Sequence, residues 1–147
     1  MEKYMLVALE EAKKSLKTND VPVGAVVVQN GKIIGKGHNQ KEWKNNATKH
    51  AEIIAIERAC RHLKSWRLNK CTLYTTLEPC MMCCGAIIQS RIEKIVYATI
   101  NPKFGYVESV GKILSNEKNN HRVIIDKGIC EEEATKLLKN FFEEKRK

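Results

Sequence analysis

The chain has 147 residues, of which 26 are Lys or Arg and 17 are Asp or Glu, so its formal net charge is +9. With 43% hydrophobic and 29% charged residues, the composition is that of a globular protein and excludes a disordered or fibrous chain. The length favours a single domain over residues 1–147, and the lack of any run of about 18 apolar residues excludes a membrane-spanning helix.

Residues 1–17 predict an amphipathic helix. Apolar residues at helical spacing predict one buried stripe on it, formed by Tyr4 or Met5, Ala8, Leu9, Ala12 and Leu16. Acidic residues are mixed with the bases and no separate apolar segment is present, so this is not the pattern of a signal peptide. We therefore expect a cytoplasmic protein.

The remaining elements alternate between strands and helices. Asn30-Gly31, a strong hairpin signal, joins two β-rich runs at residues 23–29 and 32–36. After a polar loop at 39–48, the pattern predicts helices at 50–63, 80–90, 107–114 and 131–145 and strands at 71–77, 94–99 and 122–126. This order predicts an α/β fold with a mixed sheet covered by helices on both faces. The hairpin should be antiparallel, and strands joined through helices should be parallel.

Six cysteines are present: Cys60, Cys71, Cys80, Cys83, Cys84 and Cys130. Three of them fall within residues 80–84, whereas a disulfide framework would be spread more evenly and would follow an export signal. We therefore expect reduced thiols with a metal among them. Cys60, Cys71, Cys84 and Cys130 are predicted to be small buried apolar residues rather than ligands.

The positive charge is concentrated in one part of the chain. Residues 32–70 contain ten bases and three acids, which accounts for +7 of the net +9. Such a stretch can attract a polyanion, because each neutralised phosphate releases counterions. The alternative is a solvated helix face and loop, with no nucleic-acid partner.

Two short segments carry residue types suited to metal binding and acid–base chemistry: His50-Ala51-Glu52 and Pro79-Cys80-Met81-Met82-Cys83. Cys80 and Cys83, at i and i+3 of a first helical turn, lie on one face near the positive helix end, which favours thiolate. His50 also lies at a predicted helix start and can supply a third ligand. One nitrogen and two sulfurs suit zinc, and three protein ligands leave one position open for water, as in catalytic sites.

Glu52 is the obvious base and acid for that water, whose pKa zinc lowers to near 7. Inside a helix, an offset of two from His50 would splay the side chains by about 200°, so spacing alone does not establish this pairing. The two segments in this order, with proline before the first cysteine, match the signature of zinc deaminases. The alternative is a structural zinc with Cys84 as fourth ligand, although Cys84 lies about 100° around the helix from Cys83.

Further stretches carry a resemblance: VPVGAV at 21–26, HAEI at 50–53, SWRL at 65–68, TLY at 72–74, TLEPCMMC at 76–83, SRI at 90–92, NHRV at 120–123 and FF at 141–142. Through them the chain resembles bacterial tRNA-specific adenosine deaminases of the cytidine deaminase-like superfamily over nearly its whole length. The resemblance implies a three-layer α/β/α fold with a mixed five-stranded sheet. It also implies a homodimer that binds one zinc per chain.

The resemblance further implies hydrolytic conversion of adenosine to inosine at the wobble position of a tRNA anticodon. His50, Cys80 and Cys83 would ligate zinc, and a zinc hydroxide would attack C6 of the extruded base, with Glu52 as proton shuttle. The implied substrate contacts are Val23, Asn39, Ala51, Asn101, Lys103 and Phe142. An anticodon loop makes extrusion of the base easy, because its bases are unpaired.

Two stretches depart from the family pattern. Ala47-Thr48-Lys49 stands where many bacterial relatives have Pro-Thr-Ala, a change that we expect to be tolerated. Tyr106-Val107-Glu108 replaces a small, Gly-containing stretch near the expected RNA groove, which bears on substrate preference and not on the chemistry.

Two other functions are compatible with these motifs. A free-nucleobase deaminase of the guanine or cytosine type would share the two metal-site segments, but TLE at 76–78, SRI at 90–92 and the basic excess favour RNA. A catalytically silent RNA-binding or dimerisation partner would commonly lack the proton shuttle, and Glu52 is intact.

Overall fold

Five strands and five α-helices make up the described part of the chain, residues 1–145 of a computed structural model. The helices are α1 (Glu2–Lys14), α2 (Lys41–Lys44), α3 (Ala51–Leu63), α4 (Met81–Gln89) and α5 (Glu131–Lys145), and a 3₁₀ turn over Ser15–Thr18 follows α1. The strands are β1 (Gly24–Gln29), β2 (Lys32–His38), β3 (Cys71–Leu77), β4 (Lys94–Thr99) and β5 (Ile124–Lys127). None of the helices within residues 1–145 is long and apolar enough to cross a membrane.

The strands form one mixed sheet in the order β2-β1-β3-β4-β5. The predicted hairpin is present, with Asn30 and Gly31 at φ values of 50° and 76°, the positive values that a tight hairpin turn requires. β1 also pairs antiparallel with β3, whereas β3, β4 and β5 are parallel neighbours. Since parallel strands end at the same edge, the segments that follow β3 and β4 lie side by side.

Helices cover both faces of the sheet, which confirms the predicted three-layer architecture. Alternate residues of β1 belong to two separate apolar clusters, Ala25 and Val27 to one and Val26 and Val28 to the other. The first cluster contains apolar residues of α3 and α4, among them Ala55 and Ile87, and the second contains Met5, Ala8 and Leu9 of α1 with Ala134 of α5. Burial on both faces explains why the central strands are nearly continuous apolar runs.

Two glycines of β2 bring α3 close to the sheet. A Cβ atom at Gly37 would lie 2.4 Å from the carbonyl oxygen of Ala51, and one at Gly35 would lie 2.4 Å from that of Ala55. Neither backbone oxygen can move without displacing the helix. Gly37 therefore sets the position of the first turn of α3.

The predicted helix at 107–114 is wrong. Residues 100–123, which connect β4 to β5, form turns and bends. The apolar residues Val107 and Leu114 are buried as their spacing indicated, but the backbone N–H groups of residues 107–109 donate to the side chain of Glu78 and not to helical carbonyls. Further along, the N–H of Val110 donates to the carbonyl oxygen of Gly105 and the N–H of Ile113 to that of Tyr106, five and seven residues back, which is not the i to i−4 pattern of an α-helix.

Smaller differences occur at the ends of elements. Leu16, predicted on the buried stripe, is 43% exposed because α1 gives way to the 3₁₀ turn, whereas Glu11 on the same helix is buried. The loop predicted at 39–48 contains the short α2, whose first N–H groups, of Glu42 and Trp43, donate to the Asp20 carboxylate. β2 extends to His38, and β5 begins at Ile124 rather than at residue 122.

Candidate active site

The starts of α3 and α4 meet at the edge of the sheet where β3 ends. His50 is the N-cap residue of α3 and Cys80 that of α4, and both have extended backbone conformations. Their side chains, together with Cys83 in the first turn of α4, converge between the two helices. The positive ends of both helix dipoles point towards this site, which favours an anionic thiolate there.

The three side chains have the spacing of metal ligands. Nδ1 of His50 lies 3.5 Å from Sγ of Cys80 and 3.6 Å from Sγ of Cys83, and the ligand atoms all lie within 4.8 Å of one another. Tetrahedral zinc, with bonds of about 2.3 Å to sulfur and 2.0–2.1 Å to nitrogen, would hold N and S about 3.6 Å apart. His50, Cys80 and Cys83 can therefore hold a metal ion.

The protonation of these ligands is already shifted. The hydrogen bond between Cys80 and Cys83 lowers the pKa of Cys80 to about 4. Burial opposes this shift, and the hydrogen bond with His50 adds to it. The contact with Cys80 and burial raise the pKa of Cys83, and the contact with Cys80 raises the pKa of His50. One sulfur is thus a thiolate without any metal, and a cation can replace the remaining protons.

Glu52 lies in the first turn of α3, 4% exposed, and its carboxyl group reaches the Cys83 thiol. Burial raises the pKa of Glu52 to about 7, only partly opposed by its own backbone N–H and by His50. His50 is the N-cap and lies outside the helical backbone, so the splay expected for an offset of two inside a helix does not apply. A carboxyl group with a pKa near neutrality suits proton transfer.

Cys84 does not point towards the site. Its Sγ donates to the carbonyl oxygen of Pro79 at 3.7 Å, and within residues 1–145 the cluster with metal-ligand spacing consists of His50, Cys80 and Cys83. This geometry disfavours the four-ligand structural site. All six cysteines are free; Cys71 and Cys84 are buried as predicted, but Cys60 and Cys130 are only half-buried.

Three of the predicted substrate contacts border the start of α3. Asn39 follows β2, and its Oδ1 accepts a hydrogen bond of 2.8 Å from the N–H of Ala51, which satisfies one free donor of that helix end. The N–H of Asn39 donates to the carbonyl oxygen of Val23 at 3.1 Å. Val23 and Ala51 are buried. All three residues are thus linked to the backbone turn that begins at His50.

Two more predicted contacts lie on the segment that follows β4, at the same sheet edge. Asn101 is half-buried, and its Oδ1 accepts a hydrogen bond from the N–H of Phe104. Lys103 is exposed. Phe142 lies instead on α5, 45% exposed and edge-on to Phe141 at 5.3 Å between ring centres, and no contact among the described residues joins it to the metal-binding side chains.

Tyr106 and Glu108 are engaged within the protein. The ring of Tyr106 packs where a Cβ of Gly111 would lie. Glu108 accepts hydrogen bonds from the Tyr97 hydroxyl and from Lys127, and the contact with Lys127 holds its pKa below the usual range. This departure from the family pattern therefore joins the 101–109 segment to β4 and β5.

The basic stretch of residues 32–70 is divided between the two ends of α3. Lys49 precedes His50 and borders the site, whereas Arg61, Lys64, Arg67 and Lys70 are exposed at the opposite end, about 20 Å away for a helix of this length. At that far end, Arg67 and Arg91 both lie over the ring of the exposed Trp66. Only part of the basic stretch therefore borders the site.

Glu78 is a residue of the site region to which the sequence reasoning gave no role. It lies between β3 and Cys80, it is 1% exposed, and it accepts hydrogen bonds only from the 101–109 segment among the described residues. A charged residue at the end of a buried strand, two positions before a metal ligand, was the available signal.

Comparison with known proteins identifies the family of the chain. The model of the MafB19-like deaminase family matches residues 1–146. A tRNA-specific adenosine deaminase of Bacillus subtilis (strain 168) is 44% identical over 146 residues, which cover 99% of this chain and 91% of that protein.

Solved structures share the fold. One from a study of A-to-I editing by tRNA:A34 deaminases at the wobble position of transfer RNA has a TM-score of 0.90 and 38% identity, and covers 94% of this chain and 100% of that one. A guanine deaminase from Nitrosomonas europaea has a TM-score of 0.83 and 25% identity, and covers 95% of this chain and 83% of that one. The chain therefore belongs to the deaminase family of the tRNA-specific adenosine deaminases, and it is an enzyme of that fold.

Proposed function

We propose that this protein is a zinc-dependent deaminase that converts adenosine to inosine at the wobble position of a tRNA anticodon. The observation that carries the proposal is the Glu52 carboxyl group, buried beside a three-ligand set that leaves a fourth metal position open. The proposal places the whole chain, residues 1–147, in one deaminase domain that acts in the cytoplasm, where its tRNA substrate would be met.

Zinc held by His50, Cys80 and Cys83 would supply Lewis-acid activation of a water molecule at neutral pH. Glu52 would accept a proton from the attacking water and deliver it to N1 of the base. After the C6–O bond forms, Glu52 would take the second water proton from the new C6 hydroxyl group and pass it to N6, so that the C6–N6 bond breaks and ammonia leaves. Burial of Glu52 keeps its pKa near 7, so that the same group can act first as base and then as acid.

The residues around the start of α3 would hold the extruded base. Val23 and Ala51 are buried apolar walls beside His50. Because Oδ1 of Asn39 is used by the N–H of Ala51, the amide nitrogen of Asn39 would donate to the base. Asn101, Lys103 and Phe142 would contact the flanking anticodon nucleotides.

The deciding experiment incubates zinc-loaded protein separately with an anticodon stem-loop that has a wobble adenosine, with free guanine and with cytidine. We expect inosine in the RNA, measured by nucleoside digestion and mass spectrometry, and no ammonia from the other two. Because phosphate contacts release counterions, binding of the stem-loop should weaken steeply with salt. Ammonia from a free base alone would contradict the proposal.

Guanine deamination is the second candidate function, and the likeness to the guanine deaminase of Nitrosomonas europaea favours it. The lower identity, 25% against 44% for the tRNA-specific relative, makes it the weaker candidate. The guanine arm of the same experiment tests it directly.

We also propose that the enzyme is a homodimer. Met81, Ile100 and Phe104 are exposed apolar side chains, with exposed fractions of 45–65%, on the segments that follow β3 and β4. Apolar side chains clustered at one edge commonly mark an interface. Light scattering should give the mass of two chains, and a mass near one chain would contradict the dimer.

A further inference from the structure

We propose that Glu78 is a positioning residue, which holds the 101–109 segment against the metal-binding turn and so determines how tightly the RNA substrate is bound. This inference rests on the proposed function, because the substrate in question is the anticodon loop. Glu78 does not touch the substrate itself, since only 1% of its surface is exposed.

The carboxylate of Glu78 is saturated by donors from one segment. Oε1 accepts hydrogen bonds from the N–H of Asn101 at 3.0 Å and from the Ser109 hydroxyl at 2.5 Å. Oε2 accepts from the N–H groups of Val107, Glu108 and Ser109 at 3.0, 2.8 and 2.9 Å. A carboxylate offers about four acceptor sites, so five donors leave none unused.

These five hydrogen-bond donors stabilise the negative charge of the buried carboxylate, a role that a Lys or Arg side chain usually has. The donors from Asn101, Val107, Glu108 and Ser109 compensate the carboxylate for the water that burial removes. Among the described residues no Lys or Arg forms an ion pair with it. Three successive N–H groups that donate to one oxygen form an anion-binding concavity. The carboxylate of Glu78 therefore fixes the position of residues 107–109, and these residues fix the orientation of the carboxylate.

The segment fits tightly around this side chain. A Cβ atom at Gly105 would lie 2.3 Å from Cδ of Glu78 and 2.4 Å from Oε1. Only glycine allows the backbone to pass so close. The backbone at Gly105 is therefore in close contact with the Glu78 side chain and cannot move closer to it.

The same turn connects the segment to the metal ligands. The N–H of Glu78 donates to the carbonyl oxygen of Thr99, and the carbonyl oxygen of Pro79 accepts from the N–H of Tyr106, at 2.8 and 2.9 Å. The next residue is Cys80. Residues 78–80 thus contain the candidate metal ligand Cys80 and also the backbone groups that bind the segment carrying Asn101 and Lys103. A shift of this segment would therefore move the substrate contacts relative to the metal.

The test compares Glu78→Gln with the wild type on the anticodon stem-loop. An amide presents one acceptor oxygen and one donor nitrogen, so some N–H groups of residues 107–109 lose their acceptor. We expect KM for the stem-loop to rise about tenfold or more, which corresponds to a loss of about 1.4 kcal/mol in binding, with kcat within about threefold because Glu52 and the metal-binding side chains are unchanged. About one zinc per chain should be retained.

A matched control is Glu11→Gln. Glu11 is also a buried carboxylate, but it lies on α1 and belongs to the other face of the sheet. This variant should lower the unfolding temperature and leave KM within about twofold of the wild type. A rise in KM caused by both variants would assign the effect to stability alone and overturn the proposal, as would a Glu78→Gln variant with unchanged KM.

Two further measurements keep the inference testable. If Glu78→Gln does not fold, Ser109→Ala removes a single donor and should raise KM about twofold to fivefold, whereas an unchanged KM would overturn the role. Hydrogen exchange at the amides of residues 107–109 needs no substrate: it should be slow in the wild type and faster in Glu78→Gln. Slow exchange in both proteins would overturn the inference, and a wild type that shows the expected exchange without forming inosine would contradict only the proposed function.

Discussion

Two glutamates of the site region have nearly the same exposure and opposite surroundings. Glu52, in the first turn of α3, is 4% exposed, and burial raises its pKa to about 7. Glu78, after β3, is 1% exposed but lies less deep in the protein, and hydrogen bonds from the 101–109 segment hold its pKa below the usual range although burial opposes this. The donors around Glu78, together with the deeper position of Glu52, thus separate a carboxyl group that can exchange a proton from one that is held ionised by the backbone.

The largest effect on activity is expected from removal of the Glu52 carboxyl group. Glu52→Ala should retain about one zinc per chain and lose essentially all turnover, at least about 10²–10⁴-fold, because the acid–base group is gone while the ligands remain. Single-turnover formation of inosine and metal analysis measure the two properties.

The matched control for this variant is Glu57→Ala, which removes an exposed glutamate of the same helix. Its activity should equal that of the wild type. Near wild-type turnover in Glu52→Ala would exclude Glu52 as the proton shuttle and would remove the contrast with Glu78.

The next effect concerns the ligands beside Glu52. Cys83→Ser should lose zinc on mild chelation and lose activity with it, because a serine hydroxyl is a poor replacement for a thiolate on zinc. Cys84→Ser should keep its metal, since Sγ of Cys84 points to the carbonyl oxygen of Pro79. Unchanged metal content in Cys83→Ser, measured after dialysis against a weak chelator, would remove Cys83 from the ligand set.

A smaller effect is expected where the backbone passes Glu78. Gly105→Ala would place a Cβ atom 2.3 Å from Cδ of Glu78, and we expect a loss of about 1–3 kcal/mol in the free energy of unfolding from overpacking. Gly85→Ala is the control: it lies inside α4 with no atom near the added Cβ, and it should be neutral or stabilising by about 0.5–1 kcal/mol. Denaturant unfolding of both variants tests this, and equal stabilities would contradict the close fit.

Glu11 provides a third kind of surroundings for a buried carboxylate. Its Oε2 accepts a hydrogen bond from Lys14 at 2.6 Å, and its Oε1 lies 3.5 Å from Nδ1 of His38, a long contact that is the only one described for this ring nitrogen. The neighbouring His38, and then Lys14, lower the pKa of Glu11 from 4.5 to about 2 despite burial. Here the side chains of His38 and Lys14, and not backbone N–H groups, favour the ionised form.

Glu11→Gln should therefore give a loss of stability that depends strongly on pH. Because the pKa is lower in the folded chain, the ionised carboxylate stabilises the fold above about pH 4.5, and this contribution disappears as the pH falls towards 2. We expect Glu11→Gln to lose about 1–3 kcal/mol at pH 7 and little near pH 2. Urea unfolding across this range measures it, and a pH-independent difference would indicate packing instead of charge.

The side chains that can hold a metal ion could be predicted because their pattern is local. Cys80 and Cys83 share one helical turn, and His50 lies at the start of a second helix, so the helix periodicity alone placed the ligands at helix ends. The pairing of Glu52 with His50 could not be predicted from spacing. It depends on the extended N-cap conformation of His50, which lies just outside the helix that begins at Ala51. The burial of Glu11 was also missed, because a charged residue on a helix face is ordinarily exposed.

The sequence by itself determined the α/β architecture, the antiparallel hairpin and the positions of the metal-binding side chains, because each depends on periodicity or turn chemistry within a few residues. Only the tertiary structure decided the conformation of residues 101–114. There the apolar spacing of a helix is present, but the N–H of Ile113 donates to the carbonyl oxygen of Tyr106, and the N–H groups of residues 107–109 donate to the carboxylate of Glu78, about 30 residues away in sequence. The contacts with Glu78 form only in the folded chain, where β3 and β4 end side by side, so a local apolar pattern cannot predict them.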